Sequence, residues 1–175
     1  DVRTTLDNHM VVLHDSTLDR TTDRSGIVAQ LPLSEVRAAD AGSWCGTQYA
    51  GERIPTLQEV LELARNRALV LIELKAQHIA ERVLQAVADM GMDDQVVLQS
   101  FSMETVRRCR LLGPGVPAAL LVGRPQAGPA RVRAKRVLRQ LLDVGATALS
   151  IWHVSVSPPF LEEMRKRAMS VWTWT

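Results

Sequence analysis

Glu73 and Lys75 stand two residues apart at the end of the apolar run ALVLIEL. On a strand that spacing puts both side chains on one face, with Ile72 and Leu74 on the other. A carboxylate and an ammonium that face the same way at the end of a buried strand need partners. One reading is a simple ion pair at the strand end. The other is chemistry on a phosphate. Glu73 is then an oxygen ligand for a hard cation, Mg²⁺ or Ca²⁺, and Lys75 binds the phosphate. A cation site needs a second carboxylate, and Asp1 can supply it. His14 ends a second apolar run, VVLH, and with Asp15 leads into the polar stretch STLDRTTDRSG. A lone histidine at a strand end is more often structural than catalytic. Near a metal-held phosphate, an imidazole that titrates around neutrality suits general acid/base work. The last run, VWTWT, brings Trp172 and Trp174 to its own end.

Side chains at strand ends need strands to carry them. Strand-like runs recur at 11–14, 68–74, 95–100, 117–122, 146–151 and 169–174. Most are continuously apolar rather than alternating, as expected for strands buried on both faces of a parallel sheet. Helical patterns lie between them. PTLQEVLELARN opens on Pro55-Thr56, and HIAERVLQAVADMG ends at Gly91. SMETVRRCRLLG has Ser102 as its N-cap, and SPPFLEEMRKRA has Ser157 as cap with Pro158 in the first turn. Strand and helix alternate to the end of the chain, which predicts βα units, either in a (β/α)8 barrel or in a doubly wound sheet. No G-x-G-x-x-G follows the first strand, which weakens the dinucleotide-binding version. In a parallel barrel, functional side chains sit at the C-terminal strand ends, where the candidates lie. The irregular stretch from Leu18 to Ile54 is too long for an ordinary loop and reads as a functional insertion.

The 175 residues suffice for one domain with a core, and 46% hydrophobic with 23% charged residues is an ordinary globular composition. A net charge of +2 argues against a nucleic-acid partner. The basic run RVRAKRVLR leaves an apolar stripe on its other side and reads as the solvated face of an outer helix. No apolar run approaches the ~18 residues of a membrane span. Cys45 and Cys109 lie in unrelated contexts without metal spacing, so free thiols and a cytoplasmic location are expected.

At this point the chain resembles the glycerophosphodiester phosphodiesterases. The matching stretches are DVRTTLDNHMVVLHDSTLDRTTDRSG, ERIPTLQEVLELA, LVLIELK, VVLQSFS and AMSVWTWT. They are similar in order and approximate spacing to the family's E-x-D-V to L-x-R-T-T run, its I-P-T-L-x-E-V-L, its I-E-x-K strand, its S-F strand end and its V-x-x-W-T strand. The resemblance implies a (β/α)8 barrel that hydrolyses a small-molecule glycerophosphodiester to an alcohol and glycerol 3-phosphate with one divalent ion, Mg or Ca. It implies Asp1 and Glu73 as metal ligands and His14 as one of two catalytic histidines. It also implies Lys75 on the phosphate and Trp174 beside the glycerol, with Asp15, Arg20, Thr21 and Thr22 shaping the insertion loop.

The departures are specific. No H-R-G occurs, the Glu two residues before Asp1 is absent because the sequence starts at Asp1, and Asn8-His9 replaces the Asp-Gly of the hairpin. The expectation is therefore an α/β fold, a partial (β/α)8 TIM-like barrel truncated at both ends. Residues 1–175 would form a single phosphodiesterase barrel domain, a fragment that lacks the first and last strands and is inactive by itself. Two alternatives remain: a phospholipase D of the sphingomyelinase D type, and a non-catalytic degenerate barrel.

Overall fold

The two runs at the start of the chain pair with each other. β1 (Val2–Thr4) and β2 (Met10–Val12) are antiparallel, with Val2 opposite Val12 and Thr4 opposite Met10. The expected strand VVLH is thus the return strand of a hairpin and not a member of the parallel set. The connection over residues 5–9 explains this, because a parallel crossover needs a dozen or more residues. Asn8 turns the hairpin at φ 63°, a left-handed conformation that Asn adopts more readily than most side chains. β1 meets Leu74 in a parallel bridge, and the Lys75 N–H donates to the Val2 carbonyl at 3.1 Å.

The computed structural model describes residues 1–76, 78–123 and 127–174. The chain forms two units, one of Asp1–Ala68 with Leu74–Ile79 and one of Leu69–Glu73 with Ala80–Thr175. In the first unit, the long irregular segment carries two 3-10 turns and the single-turn helix α1 (Leu33–Val36). It has a core of its own: Leu18, Val28, Val36, Ala39 and Ile54 are buried with Val11. The Asp40 carboxylate ties its far end, accepting from the N–H groups of Gly42, Ser43 and Gly51 and from the Ser43 hydroxyl. Helix α2 (Leu57–Ala64) begins where Thr56 accepts from the Glu59 N–H and the Glu59 carboxylate accepts from the Thr56 N–H. This reciprocal cap is the physical content of the Pro-Thr start signal.

The second unit holds a five-stranded parallel sheet in sequential order. Its strands are β3 (Val70–Glu73), β4 (Val96–Ser100), β5 (Ala118–Val122), β6 (Ala148–Trp152) and β7 (Ser170–Trp174). They alternate with α3 (Ala80–Asp89), α4 (Met103–Leu112), α5 (Ala130–Val144) and α6 (Pro158–Arg165). β5 and β6 are buried over four successive residues, so both faces are covered, as their continuous apolar runs require. Ser102 caps α4 by accepting from the Thr105 N–H at 3.2 Å. Ser157 precedes α6 but makes no capping bond; its hydroxyl is buried with no hydrogen-bond partner among the described residues, and Pro158 stands in the first turn. Helix α5 buries Ala134, Val137, Leu138, Leu141 and Val144, and Arg131 from its basic face pairs with Glu162 at 2.9 Å. Cys45 and Cys109 are both free; burial pushes the Cys109 thiol up to about 11. Among the described residues no helix is long and apolar enough to cross a membrane.

Candidate active site

Three of the five candidates, Asp1, His14 and Lys75, lie in the first unit. The Leu13 N–H donates to the Asp1 carbonyl at 3.0 Å, so Asp1 lies opposite the segment that leads into His14. Arg3 fastens that segment: its Nε and Nη2 donate to the His14 carbonyl at 3.0 and 2.7 Å. Lys75 follows the Leu74 bridge, and its Nζ lies 3.3 Å from Asp1 Oδ1. Both side chains of that pair are largely covered, at 14% and 28% exposure, so the ammonium and the carboxylate compensate each other in a poorly hydrated place.

The His14 ring is 64% exposed. Its Nδ1 lies 2.7 Å from Asp15 Oδ1. Arg20 holds the same carboxylate from the other side, with Nε on Oδ2 at 2.6 Å and Nη2 on Oδ1 at 3.1 Å. The Arg20 and His14 hydrogen bonds together hold the Asp15 carboxyl far below the usual carboxylate range. Asp15 and Arg20 were expected only to shape the loop. The signal in the sequence was slight: an acid next to the histidine and an arginine five residues further on.

Glu73 and Trp174 belong to the second unit. Glu73 closes β3 and pairs in register with Gln99 of β4, so the two share a face. Burial alternates as the sequence reading required, with Ile72 and Leu74 buried and Glu73 and Lys75 intermediate. Trp174 closes β7 opposite Trp152. The Phe101 ring, just past β4, meets the Trp174 ring edge to face, with centroids 5.9 Å apart. The Trp174 Nε1 and Gln99 Oε1 atoms are buried and have no hydrogen-bond partner among the described residues. A buried donor and a buried acceptor left unmade are costly, about 1–3 kcal/mol each, unless a ligand or water completes them. Gln99 and Phe101 carried no individual signal, because a Gln inside an apolar strand has many structural uses.

The donor chemistry of Asp1 and Glu73 fits a hard divalent ion, which takes carboxylate oxygens. Among the described residues, no group of three or more His, Cys, Asp or Glu side chains is gathered for a metal.

The family model of the glycerophosphoryl diester phosphodiesterases matches residues 1–175. The YhdW protein of Bacillus subtilis (strain 168) is 34% identical over 179 residues, covering all of this chain and 72% of its own length. A glycerophosphodiester phosphodiesterase of Caldanaerobacter subterraneus subsp. tengcongensis is 32% identical over 181 residues, again covering all of this chain and 71% of that protein. Among solved structures, a glycerophosphodiester phosphodiesterase from Agrobacterium tumefaciens str. C58 superposes with a TM-score of 0.79 at 29% identity, over 98% of this chain and 70% of that one. A phosphodiesterase from Oleispira antarctica, solved in complex with the product sn-glycerol-3-phosphate, has a TM-score of 0.83 at 24% identity, which bears on the fold alone. The chain belongs to the glycerophosphoryl diester phosphodiesterase family. It is an α/β protein with a partial (β/α)8 barrel arrangement, of a family of phosphoric diester hydrolases.

Proposed function

We propose that the protein hydrolyses a glycerophosphodiester to an alcohol and glycerol 3-phosphate, with His14 moving the proton and a divalent ion, Mg²⁺ or Ca²⁺, held through Asp1 and Glu73. The observation that carries this reading is the His14 segment, fixed beside Asp1 by Arg3 and by the Leu13 bond, with the Lys75 ammonium on Asp1. The ion, when bound, polarises the phosphoryl oxygens as a Lewis acid. Lys75 neutralises phosphate charge that builds in the transition state. His14 presents an exposed ring to the substrate oxygens and transfers a proton there. Trp174 lines the glycerol side, and its Nε1–H, without a hydrogen-bond partner among the described residues, suits a hydroxyl acceptor. A small-molecule diester is the partner, in keeping with the glycerol 3-phosphate held by the Oleispira protein. Two free thiols suit a reducing compartment such as the cytoplasm.

The family's H-R-G histidine does not occur in these 175 residues, so the residues alone are expected to turn over slowly, by about 10²- to 10⁴-fold. The test is release of glycerol 3-phosphate by the intact protein from several glycerophosphodiesters, with Mg²⁺ or Ca²⁺, beside a His14→Asn variant. Release that needs the metal and falls at least 10²-fold in the variant supports the reading. No release from any diester, or full turnover without His14, overturns it.

A further inference from the structure

We propose that Arg20 and Asp15 act as positioning residues that lock the His14 ring in its Nδ1–H tautomer, leaving Nε2 as the atom that exchanges protons with substrate. The catalytic consequence rests on the role proposed for His14; the tautomer itself does not.

An ionised carboxylate can only accept hydrogen bonds. With Nδ1 at 2.7 Å from Asp15 Oδ1, the ring nitrogen must be the donor, so the proton sits on Nδ1 and the Nε2 lone pair points away. A neutral imidazole left to itself favours the opposite tautomer, so this arrangement has to be imposed. Arg20 imposes it in two ways. Its two bonds to Asp15 fix the plane of the carboxylate, a geometry that a lysine cannot reproduce. They also keep Asp15 ionised, so Asp15 neither takes the Nδ1 proton nor competes with Nε2 as a base. When Nε2 accepts a proton, the ring becomes an imidazolium that retains its Nδ1–H, and Asp15 stays a carboxylate.

Both ends of the device are anchored. Arg20 lies two residues after Leu18, which is 1% exposed and whose N–H donates to the Gly26 carbonyl. Thr22 adds a bond from its hydroxyl to the Leu18 carbonyl at 2.8 Å. At the other end, Arg3 grips the His14 carbonyl, so ring and main chain are held separately. Stability does not explain the construction. Asp15 is 24% exposed, but Arg20 and His14 are 60% and 64% exposed, and ion pairs with a partner so open to water add little to stability.

The test is ¹⁵N NMR of histidine-labelled intact protein at a pH where the ring is neutral, with the His14 signals assigned by a His14→Asn variant. His14 should show a protonated Nδ1 and a bare Nε2. Asp15→Asn and Arg20→Ala should shift it toward the Nε2–H form, and Arg20→Lys should fall between. Backbone spectra establish that each variant is folded, and Arg20→Lys carries the test if the harsher changes unfold the loop. A wild-type ring that is mainly Nε2–H, or an unchanged tautomer in the folded Asp15 and Arg20 variants, overturns the proposal. Full turnover in His14→Asn would instead remove the catalytic role of the ring and leave the tautomer result standing.

Discussion

Glu73 and Lys75 separate two kinds of electrostatic contribution. Glu73→Gln keeps size and hydrogen bonding but removes a charged oxygen. If Glu73 ligates a hard ion, metal affinity falls and excess Mg²⁺ or Ca²⁺ restores part of the rate. Lys75→Ala leaves Asp1 without the ammonium at 3.3 Å and, if Lys75 binds the phosphate as proposed, removes a charge from it. Its turnover should fall about 10²-fold, and no metal concentration should restore it. Activity against metal concentration for both variants, with thermal melts alongside, reads the difference. Matched, metal-insensitive losses would mean that both residues are structural. The same scale shows why Asp15 and Arg20 were expected only to shape the loop. Their residue types are ordinary for a polar loop, and only the folded path brings the guanidinium onto the carboxylate and the carboxylate onto the ring.

Among the elements, the two helix starts make a paired prediction. Thr56 and Glu59 satisfy each other's N–H groups at the head of α2, so Thr56→Ala should cost about 1 kcal/mol of unfolding free energy. Ser157 sits in the same relation to α6, but its hydroxyl has no hydrogen-bond partner among the described residues, so Ser157→Ala should leave stability within about 0.5 kcal/mol of wild type. Denaturant titration of the two variants decides it; equal losses would mean that sequence position alone, not the bond, sets the cap. The hairpin teaches the complementary lesson. VVLH has the composition of a buried parallel strand, and Val11 is indeed fully buried. Its short connection to β1 nevertheless forces antiparallel pairing, and this is what brings His14 back beside Asp1.

At the scale of the molecule, several carboxylates tie loops and helix starts together and should govern its response to acid. Asp15 and Asp40 are held well below the ordinary carboxylate range, by Arg20 and by the Ser43 hydroxyl first of all. Glu59 is lowered to about 2, chiefly by Arg37 and then by the Thr56 N–H. Each ionises at lower pH in the folded chain than in the unfolded one. The stability they contribute is complete above the ordinary range, near pH 4 to 5, and is lost as pH falls through it toward about 2. Tm should therefore decline steadily from about pH 5 to about pH 3, and Arg37→Ala should shallow the decline. A flat Tm over that interval would refute the assignment.

The sequence by itself determined the parallel βα rhythm, the caps of α2 and α4, the alternation that turns Glu73 and Lys75 away from Ile72 and Leu74, and the family. Each of these is written in local periodicity or in motifs whose residues lie close together along the chain. Tertiary structure alone decided that β2 returns antiparallel, that Lys75 lies on Asp1, that Phe101 packs on Trp174, and that Arg20 reaches His14 through Asp15. These contacts join residues whose separation in the chain carries no period. They form because backbone pairing and burial of the core residues Val11, Leu18 and Leu149 fix where the chain must pass, and the side chains then meet whatever those paths bring near.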